Sequence, residues 1–206
     1  MQKTVIAIVL TLSPLVAGAQ SRPGTYITDE EIKKVNALPG VDRQIRVVDI
    51  GNENLAVGVV HRGASAPAGS APAGAAGRGT AAPVVPCGEV TATPPAGGVP
   101  GGIAHDQQTE SYVIISGGGT LVTGGHIANG RQSAPGSNVT TVLNGPSCSG
   151  MITGDFVKKV VKTGDIIIIP AGTPHGWIEV GDHVDYLSIR PSARVLEAGY
   201  INPALK

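Results

Sequence analysis

The sequence predicts one all-β domain, a closed barrel or sandwich of short strands with a short helix near its N-terminal end. β-branched and apolar residues recur in short runs divided by Gly, Pro, Asn and Ser, which is how strands and their turns read in sequence. Helix-start chemistry occurs only towards the ends of the chain and not between those runs. The 206 residues, 41% of them hydrophobic, suffice for one core and show no break that would separate two. Closing such a sheet also removes exposed strand edges.

Residues 1–19, MQKTVIAIVLTLSPLVAGA, join Lys3 to an apolar run from Val5 to Val16 and the small triplet Ala17-Gly18-Ala19, the layout of a secretory signal peptide cleaved after Ala19. The run is shorter than the roughly 20 residues a bilayer span requires and contains Pro14, so no membrane anchor is expected. The expected location is therefore the periplasm or the exterior of the cell. Thiols pair in such compartments, and Cys87 and Cys148 are the only two cysteines, so one disulfide is expected. Their flanks, VVPCGEV and GPSCSG, read as loops.

Residues 20–43 form an N-terminal appendage. Within it Thr28 and Glu31 have capping-box spacing, and a helix from there ends near Leu38, before Pro39-Gly40. Strands at 44–50 and 55–61 are joined as a hairpin by Gly51-Asn52-Glu53-Asn54. Residues 63–86, with SAPAG repeated in tandem, have almost nothing to bury and are expected to be a flexible insertion within the domain. TATPPAGGVPGG, residues 91–102, is read as strand-poor.

Strands are then expected at 110–116 and 120–123, with Gly117-Gly118-Gly119 as a tight hairpin between them. A Gly- and Ser-rich connection over 124–150 contains a short strand at 140–143. Strands follow at 155–162, 166–169, 175–180 and 184–190, so the barrel is expected to span 44–190, with 191–206 as a C-terminal extension. Lys+Arg and Asp+Glu balance at 15 each with no long basic run, which excludes a general nucleic-acid surface.

Two stretches carry chemistry. HDQQTESYVIISG, 105–117, sets one His, one Glu and one Tyr ahead of an apolar run, and GDIIIIPAGTPHGW, 164–177, places a Pro-Gly turn before His175. On the first stretch alone, a metal site and the polar entry to a buried strand are both open. Side chains alternate along a strand, so Glu110, Tyr112 and Ile114 share one face, as do His175, Trp177 and Glu179. Tyr112 reads either as a core tyrosine with a satisfied hydroxyl or as an acid/base beside a metal; Trp177 reads as a pocket wall.

At the second stretch the sequence resembles the cupin family. Gly164, Pro170, Gly172 and His175 match the spacing of that family's second motif, although Glu179 stands where its usual asparagine would be. The first stretch then takes the place of the first motif, with His105 as its second histidine, Glu110 as its glutamate and Gly117 as its glycine. Ile103 occupies the position of the first histidine. A register pairing His105 with Gln107 leaves too few residues before Glu110.

The resemblance implies a jelly-roll barrel, the double-stranded β-helix, in a single-domain protein. It implies a divalent transition metal, Fe, Mn, Ni or Zn, held by His105, Glu110 and His175. Two imidazoles and one carboxylate leave coordination positions open for substrate or dioxygen, and His61, His126 and His183 are the candidates for a substitute fourth ligand. The function implied is action on a small organic molecule, foremost as an Fe(II)-type oxygenase. The alternatives are a metal-dependent lyase or isomerase in which Tyr112 is the catalytic acid/base, and a cupin that binds a small molecule without turnover. Members of the family often form homodimers.

Overall fold

A computed structural model of the protein describes residues 23–65, 84–192 and 194–206. The expected signal peptide, and residues 66–83 of the expected insertion, lie outside them. Among the described residues there are nine strands and one α-helix: α1 (Asp29–Asn36), β1 (Asp42–Asp49), β2 (Asn54–Gly63), β3 (Pro86–Cys87), β4 (Val99–His105), β5 (Glu110–Gln132), β6 (Ser147–Lys162), β7 (Ile166–Ile169), β8 (His175–Glu179) and β9 (His183–Ser192).

The helix begins as expected. Thr28 Oγ1 accepts from the Glu31 amide and Glu31 returns a carboxylate to the Thr28 amide, both at 3.2 Å. Val35 is buried with Ile45 and Val59, so α1 packs against the outer side of the β1–β2 hairpin. The Glu31 carboxylate also pairs with Arg46 of β1, fastening helix to strand.

Every described pairing between strands is antiparallel. One sheet runs β1-β2-β9-β5-β7, and the other pairs β5 with β6, β6 with β4, β4 with β8, and β8 back to β5. The long β5 belongs to both, its first half to one sheet and its second half to the other. Two antiparallel sheets joined through the shared strand β5, the second closed by the return pairing of β8 with β5, make the jelly-roll, double-stranded β-helix barrel that the cupin resemblance implies. Its interior holds Val60, Tyr112, Ile114, Leu121, Val161, Ile169, Val180, Val184 and Tyr186.

The triple glycine is not a hairpin. It is the point where β5 leaves β9 and joins β6: Gly117 still pairs with Val184, and Gly118 with Lys162. Gly117 has φ +67, and a Cβ on Gly119 would lie 2.5 Å from the Glu179 carbonyl oxygen, so close backbone approach, not chain reversal, requires these residues.

Other expectations are corrected. Residues 140–143 lie in a π-helical turn, Val139–Leu143, closed by the Asn144 amide on Val139 O. The strand-poor reading of 91–102 fails at β4, where Val99 pairs with Ile152 and Gly102 with Gly150; a Cβ on Gly102 would strike the Ile152 side chain, so glycine marks close packing here and not a loop. The connection expected over 124–150 is shorter, because β5 runs on to Gln132 and β6 starts at Ser147.

Cys87 and Cys148 form the expected disulfide, but from strands β3 and β6 and not from loops. After β9 the chain returns to the outer edge of β1: Val47 N donates to Tyr200 O and Asn202 N to Ile45 O. That tail pairs an edge that would otherwise offer free backbone groups. Among the described residues no helix is long and apolar enough to cross a membrane.

Candidate metal centre

His105 ends β4, Glu110 begins β5 and His175 begins β8, so three strand ends meet at one place. The Pro-Gly turn before β8 ties the place together, since Gly172 N donates to His105 O at 2.7 Å. All three side chains are buried, at 2–3% exposure, and one donor atom from each lies within 4.8 Å of the other two. Both imidazoles address the same carboxylate oxygen: Glu110 Oε2 stands 3.0 Å from His105 Nε2 and 3.1 Å from His175 Nε2. Two ligands about 2.1 Å from one ion at right angles are about 3 Å apart, so these separations fit a shared cation.

The surrounding hydrogen bonds decide what the imidazoles present. His175 Nδ1 lies 3.0 Å from Thr173 O, a carbonyl that only accepts, so Nδ1 carries the hydrogen and Nε2 a lone pair. Ser147 Oγ gives its one proton to Gly145 O at 2.9 Å and therefore accepts from His105 Nδ1, also at 2.9 Å. In the neutral ring that leaves a lone pair on His105 Nε2 as well; in the protonated ring the same nitrogen donates to Glu110 Oε2 at 3.0 Å. Anchoring of the remote ring nitrogen in this way is how proteins orient imidazole ligands.

The charges agree with this picture. Burial holds the His105 imidazole below its ordinary pKa, outweighing the pull of Glu110, and so favours the neutral ring. Burial pushes the Glu110 carboxyl up, but its charged partners, the Arg190 guanidinium foremost, outweigh that and hold it well below the usual range. Two nitrogen lone pairs and an ionised oxygen thus converge. His175 Nε2, although 3.1 Å from Oε2, lies outside hydrogen-bond geometry and has no partner. A buried acceptor facing an anion at that distance is unfavourable unless a cation stands between them, so the residues fit a metal.

The other carboxylate oxygen is occupied. Glu110 Oε1 accepts from Arg190 Nε at 3.0 Å and from Ser188 Oγ. Arg190, wholly buried, continues to Asp42 Oδ2 at 2.6 Å and to Leu143 O at 3.1 Å. Only Oε2 therefore faces the imidazoles. Sequence reasoning missed Arg190 and Ser188; their signal was the alternation Tyr186, Ser188, Arg190 along β9, which sets polar residues on the inward face.

Ile103 pairs directly with His175 across β4 and β8, and side chains of such a pair project to the same face. An isoleucine thus borders the cluster where a fourth ligand was sought. Gln107 is exposed, in keeping with the register that assigns His105 the second histidine position. His61 pairs with Asp185, His126 with Glu89, and His183 with Ser116 and Asp182, so none of the three candidate substitutes joins the cluster.

Tyr112 donates its hydroxyl to Glu110 Oε2 at 3.2 Å. Burial, reinforced by the Glu110 charge, pushes its phenol well above the ordinary value, so it keeps its proton. Trp177 packs against the interior cluster, stacked on Tyr112 with ring centres 6.4 Å apart. Glu179 instead turns to Thr120 Oγ1, at 2.9 Å.

No protein-family model matches the chain, and no curated protein matches it. Among solved structures, an uncharacterised protein with a double-stranded β-helix domain from Klebsiella pneumoniae is 16% identical with a TM-score of 0.40, over 84% of this chain and 94% of that one. A cupin protein from Bacteroides fragilis is 16% identical with a TM-score of 0.31, over 72% of this chain and 75% of that one. An oxalate oxidase in complex with the substrate analogue glycolate is 14% identical with a TM-score of 0.37, over 88% of this chain and 65% of that one. At such distances nothing of their chemistry carries over, and the barrel described above rests on its own strand pairing.

Proposed function

We propose that the protein is an exported cupin that binds one divalent transition metal, Fe, Mn, Ni or Zn, through His105, Glu110 and His175 and acts on a small organic molecule, foremost as an Fe(II)-type oxygenase. The observation that carries this is the convergence of two lone-pair nitrogens on Glu110 Oε2, with His175 Nε2 otherwise unpartnered. A two-histidine, one-carboxylate set would leave positions open on a bound ion, and iron held by His105, Glu110 and His175 would supply activation of dioxygen. The chain's own part is to orient the ligands through Ser147, Thr173 and Arg190 and to keep a proton at Tyr112 Oη. Export is supported by the disulfide, which persists in oxidising compartments.

The second reading, a metal-dependent lyase or isomerase, is favoured by one observation, the Tyr112 hydroxyl 3.2 Å from Glu110 Oε2. In that case Tyr112 is a proton donor and not a base, because its phenol is held protonated. Elemental analysis of the purified protein beside His175→Ala tests the metal. Near-stoichiometric Fe, Mn, Ni or Zn in the wild type and its loss in the variant are expected; no uptake of any of the four overturns the reading. Oxygen consumption during turnover then separates oxygenase from lyase.

A further inference from the structure

The sheet that carries Glu110 has two edges, and among the described residues only one of them is covered. At β1 the C-terminal tail supplies partners, through Val47 N to Tyr200 O and Asn202 N to Ile45 O. At the opposite edge β7 pairs with β5 on one side and with no described strand on the other.

The register shows which atoms are left over. Ile114 N donates to Asp165 O at 3.0 Å, and Tyr112 and Glu110 stand opposite Ile167 and Ile169. Hydrogen-bonded positions recur at every second residue of an antiparallel pair, so Asp165, Ile167 and Ile169 turn their backbone groups towards β5. Ile166 and Ile168 turn theirs to the open side. Their side chains are also exposed, at 67% and 70%, with Val113 opposite Ile166 on the same face. Folded proteins guard such an edge with a charge, a bulge or a covering segment, and no residue of Ile166–Ile169 is charged.

We infer that β7 is the contact edge of a homodimer, with β7 of a second copy antiparallel to it about a two-fold axis at Ile167. Ile166 then stands opposite the partner's Ile168, and the outward N–H and C=O groups of both residues are met. The exposed isoleucine side chains gather on one face of a sheet that runs through both protomers. A second copy fits because the strand offers isoleucine to isoleucine in this register. The far edge of each protomer is already covered by its own tail, so the pairing closes on itself and leaves no edge to recruit another molecule. The joined strand is the one that pairs with Tyr112 and Glu110, so the edge lies beside the candidate metal centre without depending on its occupancy.

Sedimentation velocity of the purified protein is expected to show a dimer, and amide exchange followed by NMR is expected to find Ile166 and Ile168 protected in it. Ile168→Pro removes an outward N–H and no bond to β5, a change that an edge strand tolerates. That variant is expected to sediment as a monomer with its near-UV circular dichroism kept. Its Ile166 amide is expected to exchange about tenfold or more faster than in the wild type while Ile167 stays protected. If Ile168→Pro does not fold, Ile168→Lys, which sets a solvated charge on the same edge, is read in its place. A monomeric wild type, species larger than a dimer, a dimer that persists in the variant, or a dimer whose Ile166 and Ile168 amides exchange freely overturns the inference.

Discussion

Arg190 Nε donates to Glu110 Oε1 at 3.0 Å, in a place where both side chains are almost wholly withdrawn from water. The pair fixes which oxygen of Glu110 is left for the imidazoles. It also makes the carboxylate tolerable in the barrel, since an isolated buried charge is far more costly than a paired one.

Arg190→Met is therefore expected to lower stability by about 3–5 kcal/mol, because it leaves the Glu110 carboxylate buried without its cation. Adding Glu110→Gln to that variant removes the stranded charge and is expected to restore part of the loss. Urea denaturation of the two single variants and the double variant measures this coupling. Strict additivity shows that the pair is not what holds the site.

Acid is expected to destabilise the metal-free protein in two windows. The His105 imidazole is held below its ordinary 6.5 when folded, so below that value the unfolded chain binds more protons and stability falls as pH drops. Glu110 is held well below its ordinary 4.5, so a second loss begins under that pH for the same reason. Denaturation midpoints across pH in the presence of a chelator measure both. His105→Gln is expected to remove the upper loss and keep the lower one, and an unchanged upper loss in that variant assigns it elsewhere.

The Cys87–Cys148 bridge closes a loop with a sequence separation of 61, for which chain entropy gives about 4 kcal/mol. Cys87→Ser with Cys148→Ser is expected to lose roughly 2–4 kcal/mol, read from the denaturant midpoint. The local effect is expected on the two-residue β3 and its neighbour: Glu89 N to Ile127 O and Asn129 N to Glu89 O are the backbone bonds beside it. Amide exchange at Glu89 and Asn129 is expected to accelerate before exchange at Val122 in the core, and uniform acceleration means that the bridge supports the whole barrel instead.

Much of the barrel is legible because local chemistry and tertiary structure agree. The capping box at Thr28 and Glu31, the hairpin over 51–54 and the isoleucine run 166–169 all read correctly, each being set by neighbours a few residues away. The misreadings share a cause. The segment holding Gly102 reads as strand-poor and the glycines at 117–119 read as a hairpin, but they serve backbones and side chains that approach from distant parts of the chain. The strand expected at 140–143 is a π-helical turn, in which Leu143 O meets Arg190, a partner no local pattern reveals.

By itself the sequence determined the class of fold, the pairing of its two cysteines and three residue types at spacings that brought His105, Glu110 and His175 under suspicion. Periodicity, turn residues and motif spacing are local quantities, so they survive in one dimension. Only the tertiary structure decided that both imidazoles face one oxygen of Glu110, that Ser147 and Thr173 fix their tautomers, that Ile103 borders the cluster, and that Arg190 lies on the inward side of the barrel. Hydrogen-bond direction, and the cost of leaving a buried charge or donor unpaired, depend on which atoms meet across strands far apart in sequence.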